Sequence, residues 1–399
     1  MLRMAVGMVS RVMEKRPGMQ IIEVQLGEGE QKETAQAISF ADESYEPGEI
    51  LILNTTAVRL KLGTGGFHLV VAKAGDHTER DLAKGNWGHV MKMRYAPWQL
   101  AVDTVEEQAS PFHRLFLRKD LSLQSTPVII GELHSMLPVV AAALRSHSKM
   151  GRIAYVMPDA ASLPVSMSRH VQQLKAKGML DAVITTGHAW GGDREAVTIH
   201  SGLLAARHIE KADVILCMLG PGVAGTGTPY GFSGVQLAEV VHAVSVLGGI
   251  PYFLPRLSFA DPRVRHRGIS HHTQAILGRY VLRSVLLFAP KTGDDRERYM
   301  REQIASLQKS HSHVVVWGEC ESESRLAELE QEYGLPFTSM GRSWREDPIP
   351  FLTAVLAADQ TVLSLDYIKE RTNAGLDCSA SPDMLAALGL YLTRNEGLL

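Results

Sequence analysis

Apolar and β-branched residues recur in five short runs over the first 72 residues: Val6 to Val12, Met19 to Leu26, Ala35 to Phe40, Ile50 to Leu53 and Phe67 to Val71. Pro17-Gly18, Gly27 to Gly29 and Pro47-Gly48 separate them. Pro-Gly pairs suit tight turns, because proline presets φ and glycine accepts a positive value. Five short strands in so little chain predict a small β-rich domain of SH3 or OB type over residues 1–72. Residues 73–96 are polar and glycine-containing and read as a connection.

From residue 97 the pattern changes. Nearly continuous Val/Ile/Leu runs at 128–131, 153–157, 182–186, 213–219, 250–254, 284–288 and 313–317 alternate with stretches of helical period. The helices are expected over Leu137–Ser146, Ser166–Lys177, Ala196–Ile209, Val235–Leu247, Thr273–Leu282, Arg296–Lys309 and Glu323–Tyr333. Met167, His170, Val171 and Leu174 recur at spacings of three and four, as one buried stripe requires. Strands without alternation belong where helices cover both faces of a sheet. Residues 97–399 therefore predict a Rossmann-like α/β domain, doubly wound around a mostly parallel sheet. The tail holds a last strand, Thr361–Leu365, and a final apolar helix, Met384 to Leu392, that docks on the sheet or serves a homo-oligomer contact.

Composition narrows the partners. The chain has 399 residues, 45% hydrophobic content, 35 glycines and a formal charge of −2. Such a balance gives no basic surplus for nucleic acid. Eighteen apolar residues never run together, so no membrane span is expected, and the N-terminus lacks a signal-peptide pattern. Cys217, Cys320 and Cys378 are few, far apart and without CxxC pairing. That usage suits a reducing cytoplasm and argues against a thiolate metal site.

Four polar loops follow predicted strands: Glu132 to Ser135, Gly187 to Asp193, Gly220 to Gly234 and Arg256 to Thr273. In an open parallel sheet, loops leaving the carboxyl ends of the strands converge on one ligand crevice. Gly220 to Gly225 has the glycine spacing of a dinucleotide fingerprint but does not open directly into a helix, and no lysine follows for a phosphate-binding P-loop. Its flexible backbone, with Gly222, Gly225, Gly227 and Ser233, can instead turn N–H groups toward an anion, or simply allow tight turns against a neighbour. Arg256, Arg263, Arg265 and Arg267 against Asp261 give the fourth loop a local charge of +3. Guanidinium groups clamp phosphate or carboxylate in bidentate fashion, which makes Arg263 and Arg267 candidates for a small anionic ligand.

For proton transfer the candidates are His134, His188, Asp193 and Asp159, with Glu132, Glu195, Asp261, His271 and His272 in loops at the same expected edge of the sheet. A divalent metal, if one is used, has His188, Asp193 and His271 as ligands assembled across loops, because no compact ligand motif exists. Each of these histidines also has an ordinary use in helix capping or a buried hydrogen bond. His188 and Asp193 stand out because a loop with Gly187, Gly191, Gly192 and an exposed Trp190 is costly unless it holds something. Ser135 and Ser162 are the serines placed to act as nucleophiles.

The segments GELHSMLP, GHAWGGD, GPGVAGTGTPYGFSG and SFADPRVRHRGISHHT resemble those of an uncharacterised bacterial family of Bacillota and Actinomycetota, the DUF3866 family. The resemblance spans the β module and the α/β core through about residue 290. It implies a soluble bacterial protein and supplies no activity or catalytic residue. The residues themselves point to an α/β enzyme acting on a small anionic substrate by hydrolysis or group transfer, with or without a metal. A non-catalytic metabolite sensor would use the same pocket.

Overall fold

The computed structural model describes residues 2–27, 32–40, 43–62, 65–75, 87–96, 99–308, 312–319, 323–374, 376 and 380–395. Glu28 and Gly29 of the second expected turn, residues 76–86 of the expected connection, Lys309, Cys320 and Cys378 lie outside the described residues. The chain divides into two compact units, Met1–Asn86 with Met93–Val102, and Trp87–Lys92 with Asp103–Leu399. Part of the segment read as connection, Trp87–Lys92, thus belongs to the larger unit.

In the smaller unit, β1 (Met4–Arg16), β2 (Met19–Leu26), β3 (Glu33–Ser39), β4 (Ile50–Asn54) and β5 (His68–Lys73) close into a barrel in the order β1-β2-β3-β5-β4. β1 is longer than its hydrophobic run predicts. Register shifts between Val9 and Arg11, and again between Val12 and Glu14, bend it so that it pairs with both β2 and β4. Val9, Ile22, Val24, Leu26, Leu51 and Leu53 fill the interior.

The larger unit is built on eight parallel strands: β6 (Pro127–Gly131), β7 (Ile153–Met157), β8 (Ala182–Thr186), β9 (Arg194–Ala196), β10 (Val214–Met218), β11 (Ile250–Leu254), β12 (Leu286–Lys291) and β13 (Val314–Glu319). Their spatial order is β9-β8-β7-β10-β6-β11-β12-β13. Helices α1 (Leu137–Ser146), α2 (Arg169–Ala176), α6 (Glu323–Tyr333), α7 (Pro348–Asn373) and α8 (Pro382–Arg394) cover one face. Helices α3 (Ile199–His208), α4 (Gln236–Val246) and α5 (Asp295–Gln308) cover the other. The chain leaving β6 enters α1 on the first face. Its two neighbours in the sheet, β10 and β11, send the chain to the second face. A gap opens at the carboxyl end of a strand whose connection diverges from those beside it, which places a crevice above β6.

The helices expected from Ser166 and Ala196 begin at Arg169 and Ile199, Ala196 itself ending β9, and two further elements differ in kind. Thr361–Leu365, read as a strand, lies inside α7. A helix buried nearly all round has no polar face, so its sequence carries no helical period. The hydroxyls of Thr353, Thr361 and Ser364 donate to carbonyls of the preceding turn, which lets them sit buried in that helix. Among the described residues α7 is also the one helix long and apolar enough to cross a membrane, and 89% of its most apolar window is buried inside the fold. The helix expected over Thr273–Leu282 instead starts at His271, with Ser270 as its cap, and passes after Ala275 into a π-helical turn over Ile276–Tyr280.

Lys92 fixes the far side of the sheet. It is 1% exposed, and its ammonium donates to the Glu195 carboxylate (2.6 Å), the Ala189 carbonyl (2.6 Å) and the Thr185 carbonyl (3.2 Å). Burial lowers its pKa and Glu195 opposes that shift. Removing one member of a buried pair leaves an uncompensated charge. Lys92→Ala should lower stability by about 3 kcal/mol in urea denaturation, while pairing it with Glu195→Gln should recover much of the loss. A Lys92→Ala cost below about 1 kcal/mol, the range of an exposed pair, would contradict this role.

Candidate functional site

The crevice above β6 has a volume of about 210 Å³ and is bounded by three of the four polar loops. Glu132 and Leu133 leave β6, Leu219 to Gly234 leave β10, and Arg256 to His272 leave β11. Met340 completes the lining.

Its floor is a buried charge cluster. Glu132 is the first residue past β6 and is 5% exposed. Its Oε1 accepts from Nδ1 of His272 (3.2 Å) and pairs with Nη1 of Arg256 (3.6 Å), while its Oε2 accepts from the Thr273 hydroxyl (3.2 Å). The Arg256 backbone N–H in turn donates to Thr273 Oγ1 (3.0 Å). Burial lowers the Arg256 pKa and Glu132 works against that shift. Phe232 stacks on the His272 ring at 4.2 Å between centroids and 7° between planes, so the ring is held at its edge and on one face. Ser270, fully buried, caps the short helical turn that carries His271 and His272, accepting from the His272 N–H at 3.3 Å.

Positive charge dominates the walls. Arg256, Arg263 and Arg265 line the crevice, and Glu132 is the one carboxylate among the lining residues. Arg263 forms a two-pronged pair with buried Asp261 at 2.9 and 2.8 Å, and Arg342 reaches the same carboxylate at 3.4 Å. The Arg263 hydrogen bonds hold the Asp261 carboxyl well below the usual carboxylate range. Arg265 is exposed and forms no ion pair among the described residues. His266, 3% exposed, bonds Ser270 through Nδ1 at 2.8 Å, and burial with Arg256 and Arg263 lowers its pKa to about 3.

The Gly220–Gly234 segment folds on itself as a hairpin beside this cluster. Ala224 N–H donates to the Ser233 hydroxyl (2.9 Å), Ser233 N–H to the Ala224 carbonyl (2.9 Å), and Thr226 N–H to the Gly231 carbonyl (2.9 Å). Gly225 and Gly227 line the crevice, whereas Gly222 at φ +97° serves the turn and lies outside it. The donors expected to face an anion are in part used within the hairpin, and the Ser233 hydroxyl belongs to that scaffold.

The remaining candidates hold loops together. His134 does not line the crevice; its Nε2 bonds the Ser168 hydroxyl at 2.6 Å, and burial, with His170 beside it, lowers its pKa to about 3. Asp159 accepts from the N–H groups of Ser162 and His188, both at 2.8 Å, clasping two loops. Asp193 bonds the Val183 N–H (2.8 Å) and pairs with Lys175. Trp190 is half-buried, not exposed, and its backbone bridges to Leu163 and Val165. A Cβ on Gly192 would meet the Val183 carbonyl at 2.8 Å, so that glycine answers to backbone approach. Ser135 bonds Ser339 at 2.8 Å. Arg267 lines a separate surface groove with Phe259, Arg296 and Tyr299.

The metal set is not assembled. His271 lies against His266 and His272, at ring distances of 5.0 and 4.2 Å, while His188 and Asp193 bond the groups just described. Among the described residues no three His, Cys, Asp or Glu side chains converge in a way that could hold an ion. Arg256 and His272, rather than His188 and Arg267, form the centre of the site with Glu132. A signal for two of them was available: Glu132 and Arg256 are the first charged residues after PVII and PYFL, strands that prove adjacent.

His134 and His266 make stability pH-dependent. Both have folded pKa values near 3, against about 6.5 when unfolded. Unfolding therefore takes up protons between those limits. The stability they contribute is complete above pH ~6.5 and falls on acidification by up to about 1.4 kcal/mol per pH unit for each histidine. Urea denaturation across pH 4–6 should show His266→Asn flattening that slope, and an unchanged slope would contradict the assignment.

No curated protein matches the chain. A family model described as a protein of unknown function, DUF3866, matches residues 35–358. The match begins in β3, runs past the residue 290 expected from the motifs and includes every crevice-lining residue. The chain belongs to the DUF3866 family.

Proposed function

We propose that the crevice above β6 binds a small anion bearing a phosphate or carboxylate group, and that the protein acts on it by hydrolysis or group transfer. The observation that carries this reading is the guanidinium groups of Arg256, Arg263 and Arg265 around a cavity whose one lining carboxylate, Glu132, is already engaged. Opposed charge in a low-dielectric cleft attracts and orients an anion more strongly than the same charges in water. At about 210 Å³ the space falls below that of sites for drug-sized ligands, which favours a compact ligand. Arg265 serves as the free clamp. Arg263, oriented by Asp261, supplies a second, and the Glu132–His272 pair supplies the proton-handling group. A reducing, cytoplasmic setting suits the buried free thiol of Cys217.

Calorimetric titration with inorganic phosphate tests the reading. Arg265→Ala should weaken binding about tenfold, the value of one charge-assisted hydrogen bond. Arg263→Ala should weaken it as well, and Arg267→Ala should leave it unchanged. Equal affinities in all variants, or a loss confined to Arg267→Ala, would contradict the reading.

A further inference from the structure

We propose that Nε2 of His272 is a phosphoryl acceptor, so that the crevice takes a phosphoryl donor and the protein passes through a phosphohistidine. This rests on the anion-binding reading and adds to it a nucleophile and a substrate class.

Two partners compete for His272 Nδ1: the Glu132 carboxylate, 3.2 Å away, only accepts and calls for a proton there, whereas Arg256 Nη1, 3.3 Å away, only donates and calls for a lone pair. In the proposed reaction the ring carries its proton on Nδ1 toward Glu132, and Arg256 pairs with Glu132 at 3.6 Å. Nε2 is then the ring atom with a lone pair, and it bonds no described residue. Stacking by Phe232 and the Nδ1 anchor fix the direction of that lone pair before any ligand arrives. Of the imidazoles lining the crevice, His266 is 3% exposed and tied to Ser270, which leaves His272 as the available one.

The surroundings suit attack by the ring itself. Arg256 already touches the imidazole, and Arg263 and Arg265 line the same small space, so a phosphoryl group they neutralise lies within reach of Nε2. In the step, the Nε2 lone pair forms an N–P bond while the bond from phosphorus to its leaving group breaks. With phosphoramidate the breaking P–N electron pair departs on nitrogen as ammonia, the nitrogen already carrying the protons it needs. The ring becomes cationic, and Glu132 across Nδ1–H balances that charge where it develops. Water then attacks phosphorus, the P–N pair returns to Nε2, and the water's proton goes to solvent, releasing phosphate.

The test is incubation of the full chain with phosphoramidate, read by intact mass, 31P NMR and peptide mapping, beside calorimetry with inorganic phosphate. An acid-labile, alkali-stable phosphoryl group on residue 272 is expected. It should be absent in His272→Asn and form about tenfold more slowly in Arg265→Ala. Glu132→Gln, which keeps the imidazole but loses the balancing charge, should also slow it, and Arg267→Ala should label as the unaltered protein does. Phosphate binding without label on residue 272 would overturn the phosphohistidine and leave the anion site standing. Label persisting in His272→Asn would overturn it too. Absence of phosphate binding would sink the anion site and this inference with it.

Discussion

A carboxylate taken out of water at the end of a central strand must be compensated, and Glu132 imposes that requirement on everything around it. It follows β6 directly and lies at 5% exposure. Alone it would be too costly to keep ionised. The segment after β11 meets the requirement with Arg256, His272 and Thr273 together, and in doing so fixes where that segment begins its helical turn. The crevice exists for a separate reason, the divergence of the chain leaving β6 from the chains leaving β10 and β11. Topology makes the gap, and Glu132 decides which side chains line it.

Much of the fold was legible because its signals are local. Unalternating Val/Ile/Leu runs mark strands covered on both faces, and α1 and α6 have the bounds their hydrophobic period predicts. Residues that hide their period were misread. α7 is buried from Ile349 to Ser364, so Thr361–Leu365 carries the β-branched look of a strand with no polar face before it to correct the impression. Strand order has no local signal at all, and it alone separates the loops that meet from those that do not.

The site was legible to the level of its loops. Three of the four polar loops do meet, but the loop after β8 lies beyond β10 and β7, on the far side of them from β6. Asp193 at the end of that loop and Glu195 in β9 bond backbone N–H groups and cations, as irregular buried backbone demands. Acids and histidines that hold a loop and those that could act on a ligand are the same residue types at the same strand ends. His134 and Asp159 belong to the first kind, and only their partners reveal it. His272 differs because its bonded nitrogen faces a buried acid while the other nitrogen bonds no described residue.

The central claim is that the space above β6 is an anion site centred on Arg256, Arg263, Arg265 and His272. A crystal structure of the protein grown with tungstate, an electron-dense phosphate analogue, tests it most directly through the anomalous signal. The account predicts a peak in contact with Arg265 and within hydrogen-bond distance of Nε2 of His272. A peak beside Arg267 in the neighbouring groove, with the space above β6 holding only water, would contradict it.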